Sequence, residues 1–282
     1  MSRGNSSAVG EWRAYPMLPI AAAFGYATSV IHIYGLGPYI QPISESFDWS
    51  RTQVTAGLTI ATLIQALMAV PVGLAVDRFG PRILGVIGIC FSAAAFAFLG
   101  TADGSIPQWY GLWFLMALAT LPVQATVWTS AVASRYTASR GLAFAVTLCG
   151  ASAAQAIFPY LAANLIESYG WQRAFMLHAL CWFVLAFPIL FFFFRGAKDA
   201  GRKQAAQAEP AAELKGVSFA VGLRSSVYLR LFITSLLLTF SIVALSIHFV
   251  PLLTAKGAAP TSAAAIASLI GLASIVGRLG TG

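Results

Sequence analysis

Long apolar runs dominate the chain, each closed by a short polar or basic segment. A helix rising 1.5 Å per residue needs about 20 apolar residues to cross a hydrocarbon core. Seven segments approach that length: 16–43, 54–76, 83–100, 109–133, 141–166, 174–194 and 231–253. An eighth starts near Thr261 and runs to Gly282. The first segment is too long for a signal peptide and lacks its small-residue cleavage pattern, so it is expected to stay in the mature protein. The pattern predicts an all-α membrane protein. It has a six-helix N-terminal transmembrane bundle over 1–194, a linker over 195–230, and the start of a second bundle over 231–282.

Composition points to the same medium. Hydrophobic residues make up 59% of the chain and charged residues only 9%, against roughly 45–50% and about 25% in soluble domains. With a mean hydropathy of +0.79, there is too little charge to cover a water-exposed surface. A water-soluble enzyme is excluded and the lipid bilayer is the expected partner. The net charge of +8 does not indicate nucleic acid, because the basic residues are spread between apolar runs rather than gathered in a patch. With the N-terminus inside, thirteen Lys and Arg fall on inner segments and three (Arg51, Arg173, Lys256) on outer loops. That bias predicts a cytoplasmic N-terminus in the cell membrane. Cys90, Cys149 and Cys181 lie inside apolar runs without ligand spacing, so neither a disulfide framework nor a metal site is expected.

Local signals sharpen the boundaries. Ser50 and Gln53 have capping-box spacing. Trp12, Tyr15, Trp49, Trp109, Tyr110, Tyr136, Tyr169 and Trp171 cluster at predicted span ends, as an interfacial aromatic belt would. The linker is Ala-rich with charges of both signs, and Val217–Leu223 could lie on the membrane surface, though a solvated connector is the simpler reading. An offset of 209 residues places Pro42 on Pro251 and Gly73 on Gly282, a hint that the second bundle repeats the first.

The segment GLAVDRFGPR at 73–82 carries the strongest motif. Gly73, Asp77, Arg78, Gly80 and Arg82 match the pattern Gly-x-x-x-Asp-Arg/Lys-x-Gly-Arg/Lys-Arg/Lys, with Pro81 where a basic residue is common. Both this motif and its place after the second span resemble the loop signature of the major facilitator superfamily. The resemblance extends to RYTASRGLAFAVTLCGAS at 135–152 and to Pro159 followed by YGWQRAF at 169–175. YGLGPYIQPISESFDWSRTQV at 34–54 is similar to the first outer loop of the monocarboxylate and oxalate–formate branch. By resemblance, the 73–82 motif is a conformational latch between two halves. Family members have about twelve spans, so the chain is expected to lack C-terminal helices that a complete transporter needs.

The resemblance also implies that Arg278, on the eighth helix, contacts a substrate carboxylate. A guanidinium fork suits that task; the competing reading is an arginine that snorkels to headgroups. His32 and His248 fall on the first and seventh helices, which resemble the cavity-lining pair, while His178 is expected to be structural. Gln65, Gln124, Gln155, Asn164 and Trp128 are candidates to line a cavity or link helices, and Tyr34 and Tyr39 are outer-gate candidates. No Asp or Glu lies within the seven complete spans. A proton-coupled cycle would therefore have to use His32, His178 or His248. H-E-x-x-H, G-x-S-x-G and P-loop patterns are missing, and no catalytic residue or cofactor is expected. The reading is a secondary transporter of small organic anions such as monocarboxylates, working as a symporter or antiporter. The alternative is a non-transporting membrane protein, either a sensor, an assembly partner or an inactive fragment.

Overall fold

The structure is a computed structural model that describes residues 7–197 and 225–281. The 195–230 linker therefore lies mostly outside the described residues, as do Val217–Leu223 and Gly282. Every regular element among the described residues is helical. A short helix α1 (Ala8–Ala14) precedes the first span, which is built in pieces: α2 (Leu18–Ser29), α3 (Ile31–Tyr34), a 3-10 turn (Gly37–Tyr39) and α4 (Ile40–Phe47). The second span is α5 (Arg51–Leu67) and α6 (Ala69–Phe79), bent by 57° at Met68. Then come α7 (Pro81–Phe98), α8 (Ile106–Thr120), α9 (Ala125–Ala133), α10 (Arg140–Tyr169), α11 (Trp171–Phe193), α12 (Ser226–Ala255) and α13 (Pro260–Thr281). A 3-10 turn, Leu121–Val123, separates α8 from α9.

Among the described residues, six helical segments are long and apolar enough to cross a membrane, and the bent α5–α6 pair makes a seventh. The protein is an integral, multi-pass membrane protein. The first span, expected as one run, is instead interrupted at Val30 and again around Gly35–Leu36. Apolar periodicity registers burial and does not register a break that leaves the residues apolar.

The expected caps form. The Gln53 amide donates to Ser50 Oγ and the Ser50 amide donates to Gln53 Oε1 (3.2 and 2.8 Å). Gly80 ends α6 at φ 82°, ψ 152°, a region essentially confined to glycine. Pro81 then begins α7, where its missing N–H costs nothing. The departure from the motif at Pro81 is therefore locally favourable.

The core is assembled from paired helices: α2 packs along α10, α7 along α11, and α5 along α8. Trp109, Trp113, Trp128, Tyr39 and Tyr136 are among its largest fully buried side chains. This corrects the aromatic-belt expectation for several residues. Trp109 donates to the Val54 carbonyl (3.1 Å), Trp171 donates to Ser46 Oγ (2.9 Å), and Trp49 tilts against Phe47 and Trp109. These aromatics fasten span ends to one another, whereas Tyr169 is exposed as an interface residue should be. An indole's single donor can be satisfied by a neighbouring helix as well as by headgroups.

The helix α13 lies along α10 at very short range. A Cβ at Gly271 would overlap the Ala156 amide nitrogen and the Ser152 carbonyl, the close approach that small residues permit in membranes. Ser152 Oγ and Ser274 Oγ are 2.9 Å apart, and Ala163 packs against Ala263, Ala264 and Ala267. The helix α12 meets the first span near Gly37, beside Ile247 and Val250. Pro42 and Pro251, the pair related by the 209-residue offset, line one cavity of about 330 Å³ at this junction.

Candidate functional site

A cavity of about 310 Å³ lies where three spans are interrupted. The first span contributes Tyr26, Ser29, Val30 and Ile33; the second, Thr62, Gln65 and Ala66; the fourth, Thr120, Gln124 and Ala125. Val30 is the first-span break, Ala66 adjoins the Met68 bend, and Gln124 is the extended residue (ψ 157°) that starts α9. Its lining is polar but uncharged.

One hydrogen-bond network ties the three spans together at this point. The Thr120 hydroxyl donates to the Met116 or Ala117 carbonyl (2.9 Å each), so its oxygen is left to accept from Gln65 Nε2 (2.7 Å). The same amide nitrogen is 3.3 Å from His32 Nε2. With the amide in this orientation Gln65 donates to Nε2, and the other ring nitrogen, Nδ1, is buried with no hydrogen-bond partner among the described residues. Gln124 Nε2 donates to the Gln65 carbonyl (3.3 Å). His32 itself is fully buried, with its ring edge towards Trp113.

Arg278 is half-buried on α13, one turn beyond Ser274, whose Oγ meets Ser152 of α10.

Other candidates are placed elsewhere. Gln155 donates to Ser246 Oγ (2.9 Å) and so links α10 to α12. His248 is exposed and does not line the cavity. Trp128 is wholly buried, with Nε1 donating to the Val123 carbonyl (2.7 Å) and the ring wedged between Gly25, Gly85 and Phe194. It is a packing residue and does not reach the cavity. Tyr39 stacks on Phe175 within the core instead of standing at a gate. His178 is buried with its ring between Phe96 and Phe158. Asn164 bonds only within its own helix, to the Tyr160 carbonyl.

In the loop motif, Arg82 donates to the Phe191 carbonyl (2.9 Å) at the end of α11, and Arg78 lies 5.4 Å from the centre of the Phe79 ring. Gly73 faces open space and Asp77 is exposed.

Sequence reasoning missed Tyr26, Ser29, Thr62 and Thr120. The signal for them is helical spacing: Tyr26, Ser29 and Ile33, or Thr62, Gln65 and Ala66, repeat every three to four residues on one face. It also missed Glu11. The buried Glu11 carboxylate accepts from the amides of Thr137, Ala138 and Ser139 (2.9 Å each) and from the hydroxyls of Thr137 and Ser139 (2.8 and 2.7 Å). Burial alone would raise its pKa; the hydrogen bonds outweigh burial and hold it well below the usual carboxylate range. Tyr136 beside it is pushed up to about 12, by burial first and by the Glu11 charge second. Glu11 thereby fastens α1 to the turn that leads into α10.

Comparison with known proteins matches residues 22–282 to the family described as the Major Facilitator Superfamily. The chain is also 27% identical over 166 residues to the oxalate:formate antiporter of Oxalobacter formigenes. That match covers 59% of this chain and 39% of the antiporter's length. The chain thus spans about two-fifths of the curated relative that it matches.

Proposed function

Because the chain belongs to the Major Facilitator Superfamily, we propose that it takes part in moving a small organic anion across a membrane by alternating access. The observation that carries this reading is the neutral polar cavity at three helix breaks, while Arg278 stands on α13, the helix packed along α10. Among the described residues no carboxylate lines that cavity, so an anion entering it meets no repelling charge. The start of α9 at Gln124–Ala125 brings the positive end of a half-helix to the cavity wall. Broken helices serve anionic substrates in this way in other transporters. Arg278 supplies a fork for a carboxylate, and Gln124, with one amide hydrogen on the Gln65 carbonyl, keeps the other for a neutral hydrogen bond. The oxalate:formate antiporter suggests short carboxylates as the first substrates to try.

The proposed cycle places residues up to 194 in one moving half and residues from 231 onwards in the other. Contact between Gly37 and the Ile247–Val250 turn, with the Ala163–Ala264 packing, supports closure on one face. With the N-terminus cytoplasmic in the cell membrane, as the basic bias suggests, that closed face is the outer one. The loop motif 73–82 is the proposed latch on the other face. For proton linkage the chain offers His32, whose Nε2 accepts from the cavity residue Gln65. A proton on Nε2 would oppose that donor and force Gln65 to turn.

The test is uptake into proteoliposomes made with the complete gene product, comparing oxalate and formate with their neutral amides. Uptake of the acids alone, lost in Arg278→Gln, is expected. Equal uptake of acid and amide, or full activity in the variant, would overturn the anionic assignment.

A further inference from the structure

A third cavity, of about 560 Å³, lies at the opposite end of the first bundle from the Gly37–Val250 contact. It sits between the end of α1, the start of α2 and the last turn of α11. We propose that it binds the phosphate headgroup of an anionic phospholipid.

Two guanidiniums, Arg135 and Arg195, line this cavity, and no carboxylate does among the described residues. Glu11, the acid on α1, is committed through both oxygens to residues 137–139. Arg135 is held in place before any ligand arrives. One Nη donates to the Tyr15 hydroxyl (3.0 Å), the other donates to the Gly196 carbonyl (3.2 Å), and the guanidinium lies 4.6 Å from the centre of the Tyr15 ring. Two of its five N–H donors are used, so the fork keeps donors for a phosphate. Arg195 is exposed and can close on the same group.

The walls explain why the phosphate should belong to a lipid. Met17, Phe192 and Phe193 complete the lining, and both phenylalanines are about half exposed at the end of an apolar span. A soluble phosphate has no use for them, whereas acyl chains would cover them. Basic pockets at the ends of membrane spans recognise anionic headgroups in this way.

Native mass spectrometry of the detergent-purified chain can decide the matter. The protein is offered phosphatidylglycerol and phosphatidylcholine with identical acyl chains, and in a separate arm inorganic phosphate. Wild type should retain phosphatidylglycerol roughly tenfold better than phosphatidylcholine, the ratio that ~1.4 kcal/mol provides. Arg195→Gln should reduce that preference, and Arg135→Gln with Arg195→Gln should abolish it. Because Arg135 also holds Tyr15, Arg195→Gln and Arg135→Lys separate lipid binding from loss of structure. Lys should keep the charge and the fold while weakening the preference. A control pair, Arg173→Gln with Lys256→Gln, removes the same charge on the other face and should leave the preference intact. Three results would overturn the proposal: no preference in wild type, a preference that survives the double variant, or an equal loss in the control pair. Displacement of the lipid by an equal concentration of inorganic phosphate would show a soluble-phosphate site instead and would also overturn it.

Discussion

The first six spans and the pair α12–α13 are built from similarly apolar helices, yet they hold together by different means. Half of the most apolar stretch of α10 is buried, against 17% for α12. The six spans enclose large aromatics and join their ends with indole and carboxylate hydrogen bonds. The pair α12–α13 presents small residues to α10 (Ala263, Ala264, Ala267 and Gly271) and two side-chain bonds, Ser152–Ser274 and Gln155–Ser246. In lipid, apolar surface gains little by being buried against protein, so tight packing and polar contacts must hold helices together. The first region has many such contacts; the second has the small-residue seam on α10 and the contact of α12 with the first span at Gly37. A smooth seam suits a contact that must slide or part, and the aromatic core suits a rigid body.

That contrast can be broken most severely at Trp128. Trp128→Ala should destabilise the chain by about 3–5 kcal/mol, because the ring fills the space between Gly25, Gly85 and Phe194. Phe240→Ala on the exposed face of α12 should change stability by no more than about 0.5 kcal/mol. Denaturant unfolding in detergent compares the two, and similar losses would erase the distinction. The seam itself is tested at Gly271. Cysteines replacing Ser152 and Ser274 should cross-link readily, and adding Gly271→Leu should suppress the cross-link at an overpacking cost of about 1–3 kcal/mol. Gly80→Ala should cost about 1–3 kcal/mol in unfolding experiments, since φ 82° with ψ 152° strains any Cβ.

The smallest effect concerns α1. The Glu11 pKa is depressed in the folded chain, so its contribution is present above the ordinary value near 4.5 and is lost only as pH falls through the lower folded value. Proteolysis after Arg13 should stay slow at pH 4–5 and rise only in stronger acid. Glu11→Gln should be cut faster at neutral pH, with no acid step; resistance equal to wild type would remove Glu11 as the fastener.

The helices were legible because lipid imposes length and apolarity together, and the loop motif was legible because its glycine and charges stand at fixed spacing. Breaks were not. Val30 and Met68 are apolar residues in apolar surroundings, and nothing in their type announces a change of direction. The cavity was half legible for the same reason. Gln65 and Gln124 stand out as amides in a span, while Ser29, Thr62 and Thr120 look like ordinary small helix residues. Trp128 serves to link helices, the second of the two roles its sequence left open; its partner, the Val123 carbonyl, is freed by the turn at Leu121–Val123, which periodicity does not reveal. Glu11 was hidden by distance, since its partners at 137–139 are more than a hundred residues away.

The central claim, that this cavity and Arg278 recognise a carboxylate, is tested most directly by equilibrium binding of a small carboxylic acid and its amide to purified protein. Wild type should bind the ionised acid and not the amide. Arg278→Lys, which keeps the charge and loses the planar fork, should weaken acid binding by ~1.5–3 kcal/mol, roughly ten- to over a hundredfold. Arg278→Gln should bind no better than the lysine variant. Unchanged acid affinity in both variants, with the fold intact, would contradict the account and leave Arg278 an anchor at the membrane interface.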